Sequence, residues 1–244
     1  MDRRSMLAPL LLALTAACSG QQSSATGEVP GLPADIARAA ADEPFVAAAS
    51  NVAVDTVVMI GDSITVASAP ALHEALTSAG FGEVIIVAQQ GKRMALTFGD
   101  NPSGATVARS LLDGTTRPDG TALPADDRAG EVWVVALGTN DVAQYSDPSE
   151  RAAAVNEVLN AVPDEVPLVW VDTFVRDRPD ATVEVNEMIE ARLRQRGNAT
   201  IARWSAVADD EGNLRDDGVH PRDAGSVVFA DAVASTVADF VDVG

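Results

Sequence analysis

From about Asn51 onward, short apolar runs alternate with stretches in which apolar residues recur every three or four positions. The runs are Val54–Ile60, Val84–Ala88, Val132–Leu137, Leu168–Asp172 and, more weakly, Thr200–Trp204. They are nearly continuous rather than alternating, which suits strands covered on both faces. Helical spacing joins Ala69, Leu72, Leu76 and Ala79, then Ala152, Val155, Leu159 and Val162. It returns at Val185, Ile189 and Leu193, and at Ala230, Val233, Val237 and Phe240. Such alternation predicts an α/β domain: a three-layer α/β/α sandwich around a central parallel sheet of about five strands. Residues 99–130 read as a long connection with few apolar positions after Leu112. A connection of that size is usually functional or mobile, and it could wall a substrate cleft.

The N-terminal part follows a different pattern. Arg3 and Arg4 precede an apolar stretch from Met6 to Ala17, and Thr15-Ala16-Ala17-Cys18 closes it. A basic start, a short apolar core and small residues before a cut describe a signal peptide over residues 1–17. The stretch falls short of the roughly 20 residues that span a bilayer. Cys18 is the only cysteine, so no internal disulfide can form. Its place after Ala-Ala resembles the lipobox of bacterial lipoproteins, with Thr15 where leucine is usual. This predicts lipidation at Cys18 and a cell-envelope location, with plain secretion as the other outcome. Residues 18–50 read as a polar tether with an Ala-rich, helix-compatible arm, leaving 51–244 as the folded domain.

Charge narrows the function. The 244 residues carry a formal net charge of −19. Such a surface repels nucleic acid, so that class of partner is excluded, and contact with a membrane is expected only through the N-terminal anchor. A monomer is expected.

Three motifs fall just past predicted strand ends: Gly61-Asp62-Ser63, Gly91 and Gly138-Thr139-Asn140-Asp141. In open α/β sheets that edge is where ligands bind. Ser63 there has an exposed hydroxyl and a free backbone N–H, although Gly-Asp-Ser alone also describes a helix-capping serine. Only two histidines exist. His73 lies among Leu72 and Leu76 in a predicted helix and reads as a packed or surface residue. His220 precedes Pro221 at a helix start, with Asp217 three residues before it, positioned to accept the Nδ1 proton and leave Nε2 facing Ser63. Gly91, Asn140 and the Ser63 N–H supply donors for an oxyanion, each worth roughly 3 kcal/mol when well placed. Asp62 and Asp141 are expected to hold loop backbone. These parts suffice for acyl transfer through a covalent serine intermediate.

Taken together, Gly61-Asp62-Ser63-Ile64-Thr65, Gly91, Gly138-Thr139-Asn140-Asp141 and Asp217-Gly-Val-His220-Pro221 resemble the four sequence blocks of the SGNH (GDSL) hydrolase superfamily. The resemblance spans roughly residues 54–242. It implies a flavodoxin-like fold and an esterase using Ser63 as nucleophile, His220 as base and Asp217 as its orienter. Ser63, Gly91 and Asn140 would form the oxyanion hole, and neither metal nor cofactor is implied. The expected substrate is a small-molecule or glycan ester, with short O-acyl groups on carbohydrate preferred. Acyl transfer to an alcohol and a non-catalytic glycan-binding lipoprotein remain as alternatives.

Scarce basic residues cluster after strand ends: Lys92, Arg93, Arg176, Arg178 and, after His220-Pro221, Arg222. They suggest a positive rim able to orient an anionic substrate. Pairing with Asp172, Asp177 and Asp180 is the competing outcome.

Overall fold

The computed structural model describes residues 50–113, 130–145 and 147–244. The predicted signal peptide, Cys18, nearly all of the tether and much of the 99–130 connection lie outside the described residues.

Five strands form one parallel sheet: β2 (Thr56–Gly61), β3 (Glu83–Ala88), β4 (Glu131–Ala136), β5 (Leu168–Val171) and β6 (Ala199–Ala202), in the order β3-β2-β4-β5-β6. Helices α1 (Ser63–Ser78) and α5 (Asp223–Phe240) cover one face. On the other lie α2 (Gly104–Leu112), α3 (Pro148–Leu159) and α4 (Pro179–Arg196). Successive residues of a strand point to opposite faces, which explains the unbroken apolar runs. Val58 and Ile60 join the core beneath α2–α4, whereas Val57 and Met59 join the core beneath α1 and α5.

Two features depart from the sequence reading. The first run, Val54–Ile60, supplies β2 and only the last residue of a further strand: β1 (Ser50–Val54) lies outside the main sheet and pairs in parallel with β7 (Val241–Val243). Asp55 separates it from β2, its carboxylate accepting from the Gly82 N–H at 3.0 Å. The second is α2, which occupies part of the stretch read as an irregular connection. Ser103 caps it, accepting from the Thr106 N–H at 3.2 Å, and its buried stripe is Ala105, Val107, Ala108 and Leu111. Small residues and a glycine start kept that stripe from standing out.

The carboxyl ends of β2, β3 and β4 come together side by side, since Gly61 pairs with both Ala88 and Ala136. That edge carries the chemistry.

Candidate active site

Ser63 is the first residue of α1, separated from β2 by a single residue. Asp62 between them is the N-cap, accepting the Ile64 N–H on Oδ1 at 2.9 Å. This leaves the Ser63 hydroxyl at the sheet edge and its N–H at an open helix start. His220 arrives from the far end of the chain, with Nε2 3.0 Å from Ser63 Oγ. Its Nδ1 lies 2.9 Å from Asp217 Oδ2. The other Asp217 oxygen accepts the N–H groups of Val219 and His220, each at 2.9 Å. One carboxylate thus shapes the loop and orients the imidazole.

The loop geometry needs Gly218. Its φ is +67°, and a Cβ there would stand 2.7 Å from the Arg176 Cβ. The Arg215 N–H donates to the His220 carbonyl at 2.8 Å, closing residues 215–220 into a hairpin. Asp217 is held down at about 2, chiefly by the His220 backbone N–H, so it is ionised at neutral pH.

On the other side of Ser63, Gln89–Lys92 form a turn in which the Lys92 N–H donates to the Gln89 carbonyl at 3.1 Å. Gly91 takes its third position with φ +72°, a conformation that favours glycine. Among the described residues, the N–H groups of Ser63 and Gly91 have no acceptor. Asn140 joins the two sides, its Nδ2 donating to Asp62 Oδ2 at 3.2 Å and to the Lys92 carbonyl at 3.1 Å. This clamp across three motifs was not foreseen from their separate positions. Both Nδ2 hydrogens are engaged, so an oxyanion would have to take over one of two long bonds.

Two buried carboxyls lie behind this layer. Asp62 is pushed up to about 6, and Asp141 to about 7, in both cases chiefly by burial. Asp141 accepts the Met94 N–H, with its oxygens 3.1 and 3.2 Å away. Each therefore accepts a backbone N–H, as expected of them. His73 is exposed on α1.

The basic residues do not form one rim. Lys92 is turned inward and only 2% exposed, donating from Nζ to Asn101 Oδ1 at 2.9 Å and the Pro102 carbonyl at 2.8 Å. Burial lowers its pKa. Arg176 pairs with Asp209 at 2.7 Å and Arg222 with Asp216 at 2.6 Å. Arg178 is exposed at the start of α4, and Arg93 lies over the Phe98 ring at 4.7 Å. The expected pairing partner Asp172 is instead buried behind the edge, accepting from the Ser205 N–H and hydroxyl.

Solved structures share the fold. The peptidoglycan O-acetyltransferase A C-terminal catalytic domain of Streptococcus pneumoniae is 21% identical with a TM-score of 0.51, over 77% of this chain and 94% of that one. A lipolytic protein of the G-D-S-L family from Veillonella parvula is 14% identical with a TM-score of 0.55, over 74% and 96%. The family 3 carbohydrate esterase of Clostridium thermocellum is 15% identical with a TM-score of 0.51, over 76% and 99%. No curated protein sequence matches the chain. The model of the GDSL-like lipase/acylhydrolase family matches residues 59–228, from the middle of β2 into α5. The chain belongs to that family and is a carboxylic ester hydrolase of the GDSL type.

Proposed function

We propose that the protein is an exported serine esterase that removes short O-acyl groups, on carbohydrate by preference. The observation that carries this reading is the unbroken hydrogen-bonded line from Ser63 Oγ through His220 to Asp217. Ser63 Oγ attacks the ester carbonyl carbon as its proton passes to His220 Nε2. The oxyanion is met by the N–H groups of Ser63 and Gly91, and by Asn140 once Nδ2 yields one of its present bonds. Collapse breaks the bond to the alkoxy oxygen, which leaves with the His220 proton. Water then attacks the acyl-enzyme, giving its proton to Nε2, and the acid departs as Ser63 recovers a proton. Asp217 keeps the imidazole in the tautomer this sequence of steps requires and stabilises its cation. Export and anchoring at Cys18 are supported by the N-terminal pattern, and the protein would act as a monomer without a cofactor.

The test is hydrolysis of 4-nitrophenyl acetate, butyrate and octanoate by the purified protein beside Ser63→Ala. The variant should lose about 10⁴-fold in kcat, with acetate the best of the three esters in the parent. A variant as active as the parent would refute the serine mechanism.

A second reading, acyl transfer to an alcohol, is favoured by the likeness to a peptidoglycan O-acetyltransferase domain. It uses the same residues, with an alcohol in place of water. Addition of an oligosaccharide acceptor that diverts the acetyl group from acetate would select it.

A further inference from the structure

Residues 89–103 are fixed with unusual care for a segment that ends in an exposed aromatic ring. Phe98 and Asn101 exchange two backbone hydrogen bonds of 3.0 Å. Asn101 donates from Nδ2 to the Gln90 carbonyl at 2.9 Å and accepts from the buried Lys92 ammonium. Arg93 and Met94 are tied to the start of α2, their carbonyls accepting the N–H groups of Gly104 and Ala105 at 2.8 and 3.0 Å. Met94 is also held to Asp141. Yet Phe98 is 60% exposed, and Leu96 beside it is 40% exposed.

A phenyl ring left in water forgoes most of the stabilisation its burial would bring. A fixed ring in water is explained when something docks on it, and loops braced on a rigid scaffold are where binding residues concentrate. The Arg93 guanidinium stands over one face at 4.7 Å, within electrostatic reach of the buried Asp141. Apart from Leu96, the chain on either side of the ring is polar or small: Thr97, Gly99 and Asp100 are all exposed. An alkyl chain would find Leu96 as the one other exposed large apolar side chain of this stretch. A pyranose fits both halves, with one face of C–H groups to lie on an aromatic ring and hydroxyls to meet guanidinium donors.

The chain joins the platform to the reactive edge. The Lys92 carbonyl, one residue before Arg93, shares the Asn140 amide with Asp62, one residue before Ser63. We infer that Phe98 and Arg93 bind the sugar ring that carries the ester, on the alcohol side of the scissile bond. This rests on the carbohydrate-ester reading above and names the residues that would give it selectivity.

The experiment compares glucose pentaacetate with vinyl acetate, which has no ring to stack, in the parent, Phe98→Ala, Phe98→Tyr and Arg93→Gln. In the parent, kcat/KM should favour the sugar ester. Phe98→Ala should cut the ratio of the two kcat/KM values at least tenfold, through KM for the sugar ester. Arg93→Gln should cut it about threefold, and Phe98→Tyr should retain it. Circular dichroism confirms that the variants are folded. An unchanged ratio in Phe98→Ala overturns the inference, as does a parent that hydrolyses vinyl acetate but not glucose pentaacetate. A larger loss on vinyl octanoate than on vinyl acetate would place Phe98 on the acyl side and also overturn it. A parent inactive on every ester removes the esterase reading itself, and the platform with it, a result distinct from the others.

Discussion

Two loops frame Ser63, and they are held by opposite means. The histidine loop is fastened in water: Asp217 and Arg222 are about half exposed, and Asp216 almost wholly so. The glycine-turn loop is fastened from inside, by Lys92 at 2% exposure, Asn101 at 7% and Asp141 fully buried. Exposed hydrogen bonds and ion pairs add little to folding, because water competes for both partners. Buried ones contribute through the cost of breaking them, since the group left behind has lost both its partner and water. The histidine loop therefore serves reactivity, and the glycine-turn loop serves placement and stability as well.

His220→Ala should separate these roles most widely. Activity on 4-nitrophenyl acetate should fall on the order of 10⁴-fold, while the melting temperature moves by less than about 2 °C. A large loss of stability would mean that the two loops are not so different. Lys92→Met is the converse. It strands Asn101 Oδ1 and the Pro102 carbonyl. At about 1–3 kcal/mol for each, the loss should be roughly 3 kcal/mol, lowering the melting temperature by about 10 °C. Calorimetry would read it, and an unshifted transition would break the comparison.

The smallest effect is one of pH. Asp62 and Asp141 have carboxyls raised by burial to about 6 and about 7, above their values in an unfolded chain. The folded state then binds more protons than the unfolded state, so stability should rise as pH falls from about 8 to about 5. Asp141→Asn should flatten that rise by a few degrees in melting temperature. Asp217, depressed to about 2, works the other way. Its contribution is present above about pH 4 and is lost only as pH falls toward 2. A melting temperature that instead fell on mild acidification would show that the buried carboxyls do not control it.

How legible all this was depended on the range of the interaction. The sheet strands could be read because burial on both faces leaves continuous apolar runs, as in Val132–Leu137. Ser63, Gly91 and Asn140 could be placed together because all three follow strand ends on one edge. Asp217 and His220 are three residues apart, a spacing that a single turn can close. Lys92 could not be read correctly. Its position after Gly91 suggested a substrate-facing charge, whereas its inward turn depends on Asn101 and Pro102 across a loop. The Asp62–Asn140 contact joins residues 78 apart, and β1 with β7 joins opposite ends of the domain. No local pattern records such pairings.

That last pairing has a practical consequence. The strand running from Ser50 leads into the amino-terminal end of β2, and Val243 lies beside Val54 at the same end. Entry at Ser50, beside Val241, and exit past Val243, beside Val54, therefore lie on one short parallel ribbon remote from Ser63. A partner joined directly at Ser50 or after Gly244 would leave the reactive face outward. A linker running from Gly244 back along the ribbon to Ser50 would permit circular permutation of the described domain, with new termini opened in surface turns remote from the histidine loop.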